Sequence, residues 1–216
     1  MTVEMVSVAD AVANELRRRL LAGEYAGGQE LRDTDLTEEF GAARPTVRAA
    51  VQMLVADGLL ERGRGRSARV RSFTAFDAVD LYRLRRPIEL TAVRLVMENS
   101  GPLGRVAAAL ETFVHLPPDV SWNQVADADI AFHREVLSAS GSPRLLRAFN
   151  DTGAELRLLI AQLRPVYRGV RQLAAEHAVL LETLRAGQVG AALDAWRGHL
   201  DDAERFFRNL IEERGL

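Results

Sequence analysis

The sequence predicts a mainly α-helical chain in two parts, a small N-terminal head carrying a β-hairpin and a larger all-helical bundle behind it. Apolar residues recur at helical spacing through almost the whole chain. The exception is one short stretch rich in Gly and Arg between residues 58 and 71, where strand-like segments flank a turn. Beyond Phe73 the strand signals stop, and Gly or Pro breaks alone divide the pattern.

Each element follows in order. Ala11, Val12, Leu16, Leu20 and Leu21 form the apolar stripe of a first helix from Val8 to Ala22, stopped by Gly23, Gly27 and Gly28. Asp33 and Thr34 are expected to cap a short second helix through Phe40, with Gly41 as its C-cap. Arg44 to Ala56 forms a third, with Val47, Val51 and Leu54 on one face and Pro45 tolerated in the first turn, where its missing N–H needs no partner. Two short helices across a tight turn make a helix-turn-helix. Leu59 to Arg62 and Ala68 to Arg71 then pair across Gly63 to Ser67 as a small hairpin, the wing of a winged helix-turn-helix.

In the second part, breaks at Gly101-Pro102, Pro117-Pro118, Gly141 to Pro143, Pro165 and Gly187 to Gly190 divide the chain into about six helices. The first runs from Asp77 to Asn99 with Leu81, Leu84, Ile88, Ala92 and Leu95 as its buried stripe. Asp129 to Ala139 and Arg144 to Leu163 follow across a Ser-Gly-Ser-Pro turn. The expected division is a DNA-binding domain over residues 1–73 and a helical bundle over 74–216.

Composition narrows the function. The chain of 216 residues has no cysteine, which excludes disulfides, thiolate metal sites and cysteine nucleophiles. No apolar run approaches the roughly 18 residues of a membrane span, and the N-terminal segment with Glu4 and Asp10 lacks the pattern of a secretory signal, so a cytoplasmic protein is expected. All 28 basic residues are Arg, which we ascribe to codon bias and not to selection for phosphate binding. Their placement says more. Between Arg44 and Arg71 seven Arg face only Asp57 and Glu61, a local excess of five positive charges inside a chain of net charge −2. A basic hairpin behind a helix pair is the footprint of a DNA-binding head.

The segment from Leu31 to Val70 resembles the DNA-binding domain of the GntR family. Arg44, Val47, Arg48, Ala50, Leu54, Asp57, Gly58 and Leu59 fall on its pattern; Ala43, Ala49 and Val51 depart from it, and Ala43 removes a capping or phosphate-touching hydroxyl. The resemblance implies that Arg44 and Arg48 begin the recognition helix and read guanine in the major groove, where an arginine fork fits O6 and N7. Thr46 and the backbone near Gly65 and Arg66 would meet phosphates or the minor groove. The bland alternative for Arg48 is a salt bridge to an acidic neighbour.

Residues 77 to 213 resemble the helical ligand-binding domain of the FadR subfamily, through Asp80-Leu81-Tyr82 with Arg85 and Glu89, Asp129 to His133, Glu176-His177 and His199-Leu200. Ser142 departs from the usual Asn, and the stretch between Asn99 and Asp129 reads as an irregular linker.

Spacing within that region suggests a metal site. Asp129 and His133 are four apart, so a helix puts both on one face. His177 and His199 are 22 apart, which one straight helix would hold roughly 33 Å from each other. The midpoint is Gln188, inside the Gly187 to Gly190 break, so a helical hairpin there would bring the two imidazoles level. Three of the four histidines then converge with one carboxylate, which matches the metal-binding version of the family; His115 is expected at the surface. Zn, Ni, Mn and Fe suit such a set about equally.

The resemblance further implies a small organic acid effector filling the open positions of a divalent metal. Arg85 and Arg86 are its candidate partners, and the alternative for either is a bundle salt bridge with Glu89. A homodimer on palindromic double-stranded operator DNA is likewise implied. No catalytic residue is expected. A metalloenzyme is the alternative, with Glu176 as base, but neighbours on a helix point about 100° apart, so Glu176 should face away from the ion. Direct metal sensing is a third reading, and metal-free acyl sensing of the kind known in the fold is disfavoured by the intact Asp and three His.

Overall fold

A computed structural model describes residues 7–62, 67–117, 119–163 and 169–215. The chain divides into two compact units, Met1–Ser72 and Phe73–Leu216.

In the first unit, α1 (Val8–Leu21) opens with a reciprocal cap between Ser7 and Asp10, and buries Val12, Ala13, Leu16 and Leu20. Its Val12 and Ala13 pack with Ala50 of α3 (Arg44–Ala56), while Phe40 at the end of α2 (Asp33–Phe40) covers the cluster. Gly41 adopts the left-handed conformation (φ 56°) that a helix C-cap requires, as expected. The start of α2 differs. Asp33 is already helical, and the cap position is Arg32, which makes no side-chain bond to the helix. The reason is an unexpected strand, β1 (Glu30–Arg32), which runs straight into α2 and supplies the extended backbone that a capping residue would otherwise provide.

The expected hairpin is present as β2 (Leu60–Arg62) and β3 (Ser67–Val70), antiparallel with Leu60 opposite Val70. β1 adds to its other side, Glu30 opposite Arg69, so β3 is the centre of a three-stranded sheet. Leu31, Ala68 and Val70 point inward and are almost fully buried.

The second unit contains α4 (Ala75–Glu98), α5 (Gly104–Val114), α6 (Trp122–Ala139), α7 (Pro143–Leu163), α8 (Val170–Arg185) and α9 (Val189–Arg214). Reciprocal caps start α4 (Thr74 with Asp77) and α6 (Ser121 with Gln124). α4 packs against α9, α6 and α7, and α5 against α6 and α8. The supposed linker before Asp129 is therefore mostly helical, α5 plus the first two turns of α6. Gly101, between α4 and α5, is there for space: a Cβ would lie 2.5 Å from the Ala139 carbonyl oxygen.

The stripe expected on α4 is rotated. Leu84 is exposed, whereas Leu81, Arg85, Ile88, Glu89, Ala92 and Val96 are buried. A helix of 3.6 residues per turn that buries Leu81, Ile88 and Ala92 carries residue 85, not 84, under its core face. The consequence is an ion pair inside an apolar bundle.

Candidate metal centre and nucleic-acid interface

α6 presents Asp129 and His133 one turn apart, α8 presents His177 and α9 presents His199. The hairpin that unites the last two turns where the glycines predict it, with Gly187 left-handed and Gln188 as the N-cap of α9. One ligand atom from each of the four residues lies within 4.8 Å of every other. His133 and His177 are essentially inaccessible, and Asp129 and His199 are half-buried.

The hydrogen-bond partners fix the chemistry of the two deepest rings. Nδ1 of His177 lies 2.8 Å from the Leu173 carbonyl oxygen, which only accepts, so the proton sits on Nδ1 and leaves a lone pair on Nε2. Nδ1 of His133 is 2.6 Å from Glu89 Oε2, again an acceptor, though the N–H is not well directed at it and the geometric hydrogen bond is incomplete. Both Nε2 atoms are then acceptors, and they face each other at 3.2 Å. Nε2 of His177 is also 3.1 Å from Asp129 Oδ1. Lone pairs and a carboxylate so arranged call for positive charge between them, a proton or a metal ion, and three imidazoles with one carboxylate are a donor set that holds divalent transition metals.

Positive charge in that position governs the neighbouring groups. Burial, reinforced by the nearby His177 and His133, pushes His199 well below the ordinary imidazole range, so its ring is neutral at pH 7. Burial alone would raise Asp129, but with a proton in that position the hydrogen bond with His177 and the charges of His133, His177 and Arg85 outweigh it and hold the carboxyl well below its usual range.

Behind His133 sits a polar node around Glu89, whose ion pair with Arg85 is the bundle salt bridge that the sequence offered as the alternative to effector binding; its approach to His133 and Trp196 was not foreseen. Glu89 accepts from Arg85 Nε (2.8 Å) and Trp196 Nε1 (3.2 Å) as well as approaching His133. Burial opposes its ionisation, yet Arg85 and His133 overcome that and lower its pKa to about 2. A carboxylate behind a ligating imidazole orients the ring and raises its basicity. The available signal was an Arg and a Glu four apart within an apolar stripe.

Arg85 and Arg86 part company. Arg85 is 2% exposed, reaches the Tyr82 hydroxyl (3.4 Å) and keeps Nη2 without a hydrogen-bond partner. With Asp129, His133 and His199 it lines a cavity of about 40 Å³. Arg86 instead binds Asp201 (2.8 Å) and Glu204 (2.6 Å) on α9 and takes no part in that cavity. Glu176 lines a different depression, with Asp194, Asp202 and His199, which borders both. His115 is exposed, its Nδ1 2.8 Å from the Glu111 carbonyl oxygen.

In the first unit Arg44 and Arg48 stand one turn apart at the exposed start of α3 and, with Arg32, Thr34 and Ser67, line a cleft of about 260 Å³. Arg48 donates to Asp33 Oδ2 (3.0 Å) yet stays 48% exposed, so the salt-bridge alternative is realised without withdrawing the guanidinium. Thr46 is half-buried, and Ala43 caps α3 without a side-chain bond. Gly65 and Arg66 lie outside the described residues.

Comparison with known proteins bears on both units. Residues 80–202 match the FCD domain model and residues 8–70 the model of bacterial regulatory proteins of the gntR family. A solved GntR-type regulator from Rhodococcus sp. RHA1 superposes with a TM-score of 0.81 at 30% identity, covering 92% of this chain and 96% of that one. The "Probable D-xylose utilization operon transcriptional repressor" of Paenarthrobacter nicotinovorans is 27% identical over 90% of this chain and 86% of its own length. The HTH-type transcriptional regulator YdhC of Bacillus subtilis is 32% identical over 87 residues, 40% of this chain and 39% of that protein.

Proposed function

The chain belongs to the GntR family of bacterial regulatory proteins and carries an FCD domain, and from that premise we propose that it is a FadR-like transcription regulator whose DNA affinity answers to a small carboxylate held at a divalent metal. The observation that carries the reading is the facing pair of Nε2 atoms beside Asp129 and His199, inside a cavity walled by a buried arginine.

Asp129, His133, His177 and His199 would hold the ion. When bound, it supplies a Lewis-acidic position that a carboxylate oxygen can occupy. The residues do the rest: Glu89 orients His133, the Leu173 carbonyl orients His177, and Arg85 offers its unpartnered Nη2 to the incoming anion. Zn, Ni, Mn and Fe all remain compatible with the donor set. At the head, Arg44 and Arg48 would read guanine, while Thr46, Gly65 and Arg66 would contact the backbone of the duplex. Homodimerisation would match a palindromic operator, and the protein would act in the cytoplasm, where the DNA is. Among the described residues no helix is long and apolar enough to cross a membrane.

A metalloenzyme would need a base at the ion, and Glu176, its candidate, borders another depression. The name of the Paenarthrobacter relative connects that protein with D-xylose, but the largely apolar wall here does not favour a polyol.

Elemental analysis of the untagged chain beside His177→Ala and His199→Ala tests the centre, and operator binding with metal alone and with metal plus carboxylates tests the response. About one equivalent of metal, lost in both variants, with DNA affinity moved by the acid, is expected. Folded parent protein that takes up neither Zn nor Ni would sink the metal reading, and a response graded with metal alone would identify a metal sensor.

A further inference from the structure

The geometry points to Arg32, at the junction of β1 and α2, as a phosphate-binding residue of the DNA-binding head, one that holds the head on the duplex without reading its sequence. This rests on the reading that α3 reads bases through Arg44 and Arg48, and it adds a backbone contact from a second element.

The register of the sheet sets Arg32 apart. Residues directly opposite each other in antiparallel strands share a face. Leu31, Ala68 and Val70 occupy the buried face, so Glu30, Arg32, Ser67 and Arg69 lie on the other, joined by Glu61 opposite Arg69. One row across that outer face reads Glu30, Arg69, Glu61, a single cation between two carboxylates. Its guanidinium is further tied through Nη1 to the Gly28 carbonyl oxygen at 2.7 Å. That row is net negative and repels a phosphate backbone. The neighbouring row sets Arg32 opposite Ser67, a cation beside a hydroxyl with no acid from either strand.

Arg32 is also uncommitted. It is exposed and stands at the cap position of α2 without a side-chain bond to the helix. Among the described residues its guanidinium makes no hydrogen bond or ion pair. The arginines of α1 differ: Arg17 holds Asp57, and Arg18 and Arg19 both hold Glu15. Asp33, next to Arg32 in the chain, is taken by Arg48 at 3.0 Å.

The cleft of about 260 Å³ joins the ends of β1 and β3, through Arg32 and Ser67, to the exposed start of α3. Glu30 borders it as well, from the acidic row. With α3 in the major groove, base edges are within reach of α3 itself, and an element beside it meets the sugar-phosphate strand that bounds the groove. A guanidinium presents two parallel N–H donors to a phosphate. Such a contact adds affinity for any duplex and one increment of salt dependence.

The test is a salt titration. The full chain and its Arg32→Ala, Arg32→Lys and Arg44→Ala variants are bound to two duplexes of equal length, one selected by the parent chain from a random pool and one of mixed sequence. Each phosphate contact contributes about 0.9 to the slope of log affinity against log salt. Arg32→Ala should weaken both duplexes by the same factor and flatten the slope by about 0.9 for each head bound. Arg32→Lys, which keeps the charge, should restore the slope. Arg44→Ala should weaken the selected duplex far more than the mixed one. An unchanged slope in Arg32→Ala overturns the assignment, as does a loss confined to the selected duplex, which would make Arg32 a base reader. A loss that Arg32→Lys does not restore overturns it too, since the role would then be structural. If Arg32→Ala flattens the slope while Arg44→Ala and Arg48→Ala weaken neither duplex, the phosphate contact stands and the reading of α3 falls.

Discussion

The two units differ in how their candidate functional side chains meet solvent, exposed in the first and buried in the second. In the head, the candidate DNA-reading residues Arg44 and Arg48 stand in solvent on α3, while Val47, Ala50 and Leu54 of the same helix make the core. In the bundle, His133, His177, Arg85 and Glu89 are all 2% exposed or less and are themselves core. On the proposed reading one helix face binds and the other folds in the head, whereas in the bundle a single set of side chains would do both. Recognition and stability should therefore separate cleanly in the first unit and not in the second.

The sharpest break comes from Glu89→Ala. It strands a buried guanidinium and an indole N–H, and removal of one partner from a buried ion pair costs about 3–5 kcal/mol. Denaturant unfolding should show that loss together with weakened metal retention; a variant that keeps its stability but loses metal would mean that the node serves binding alone. Chelation is next. A ligand at a hundred times its dissociation constant stabilises the native state by about 2.7 kcal/mol, so metal removal should lower the melting of the bundle by that order and leave the melting of the head in place.

Arg44→Ala and Arg48→Ala should do the reverse. Each should cost about 1–3 kcal/mol of operator discrimination while unfolding stability stays within about 0.5 kcal/mol of the parent. A large stability loss in either would break the contrast. The smallest effect is expected from Arg86→Ala, whose half-exposed pairs with Asp201 and Glu204 are worth at most about 1 kcal/mol, and which should leave carboxylate binding intact.

The same contrast explains what was legible in the sequence. The head was readable because each rule acts locally there: a glycine at a C-cap, a proline in a first turn, an apolar residue every third or fourth place. What escaped was β1, three residues whose strand character exists only because β3 lies alongside. In the bundle the convergence of Asp129, His133, His177 and His199 was legible from histidine spacing and a glycine break, since a hairpin pivot at Gln188 equalises the arms. Hydropathy misplaced Leu84 and ignored Arg85 and Glu89, because a periodicity of apolar residues has no means of registering a charge satisfied by a neighbour one turn away. α5 was hidden for a simpler reason: flanking Gly and Pro made a short helix look like linker.

The Glu89 node also has an optical consequence. The chain contains two tryptophans, Trp122 and Trp196, and both belong to the second unit. Trp196 donates to Glu89 5.9 Å, ring to ring, from His133, and Trp122 borders the cavity. The head contributes no indole, so intrinsic emission excited at the red edge reports on the bundle only. Occupancy of the proposed centre and filling of the cavity would be readable without a label, the first through a buried indole whose proton acceptor also lies against His133, the second through one that borders the cavity.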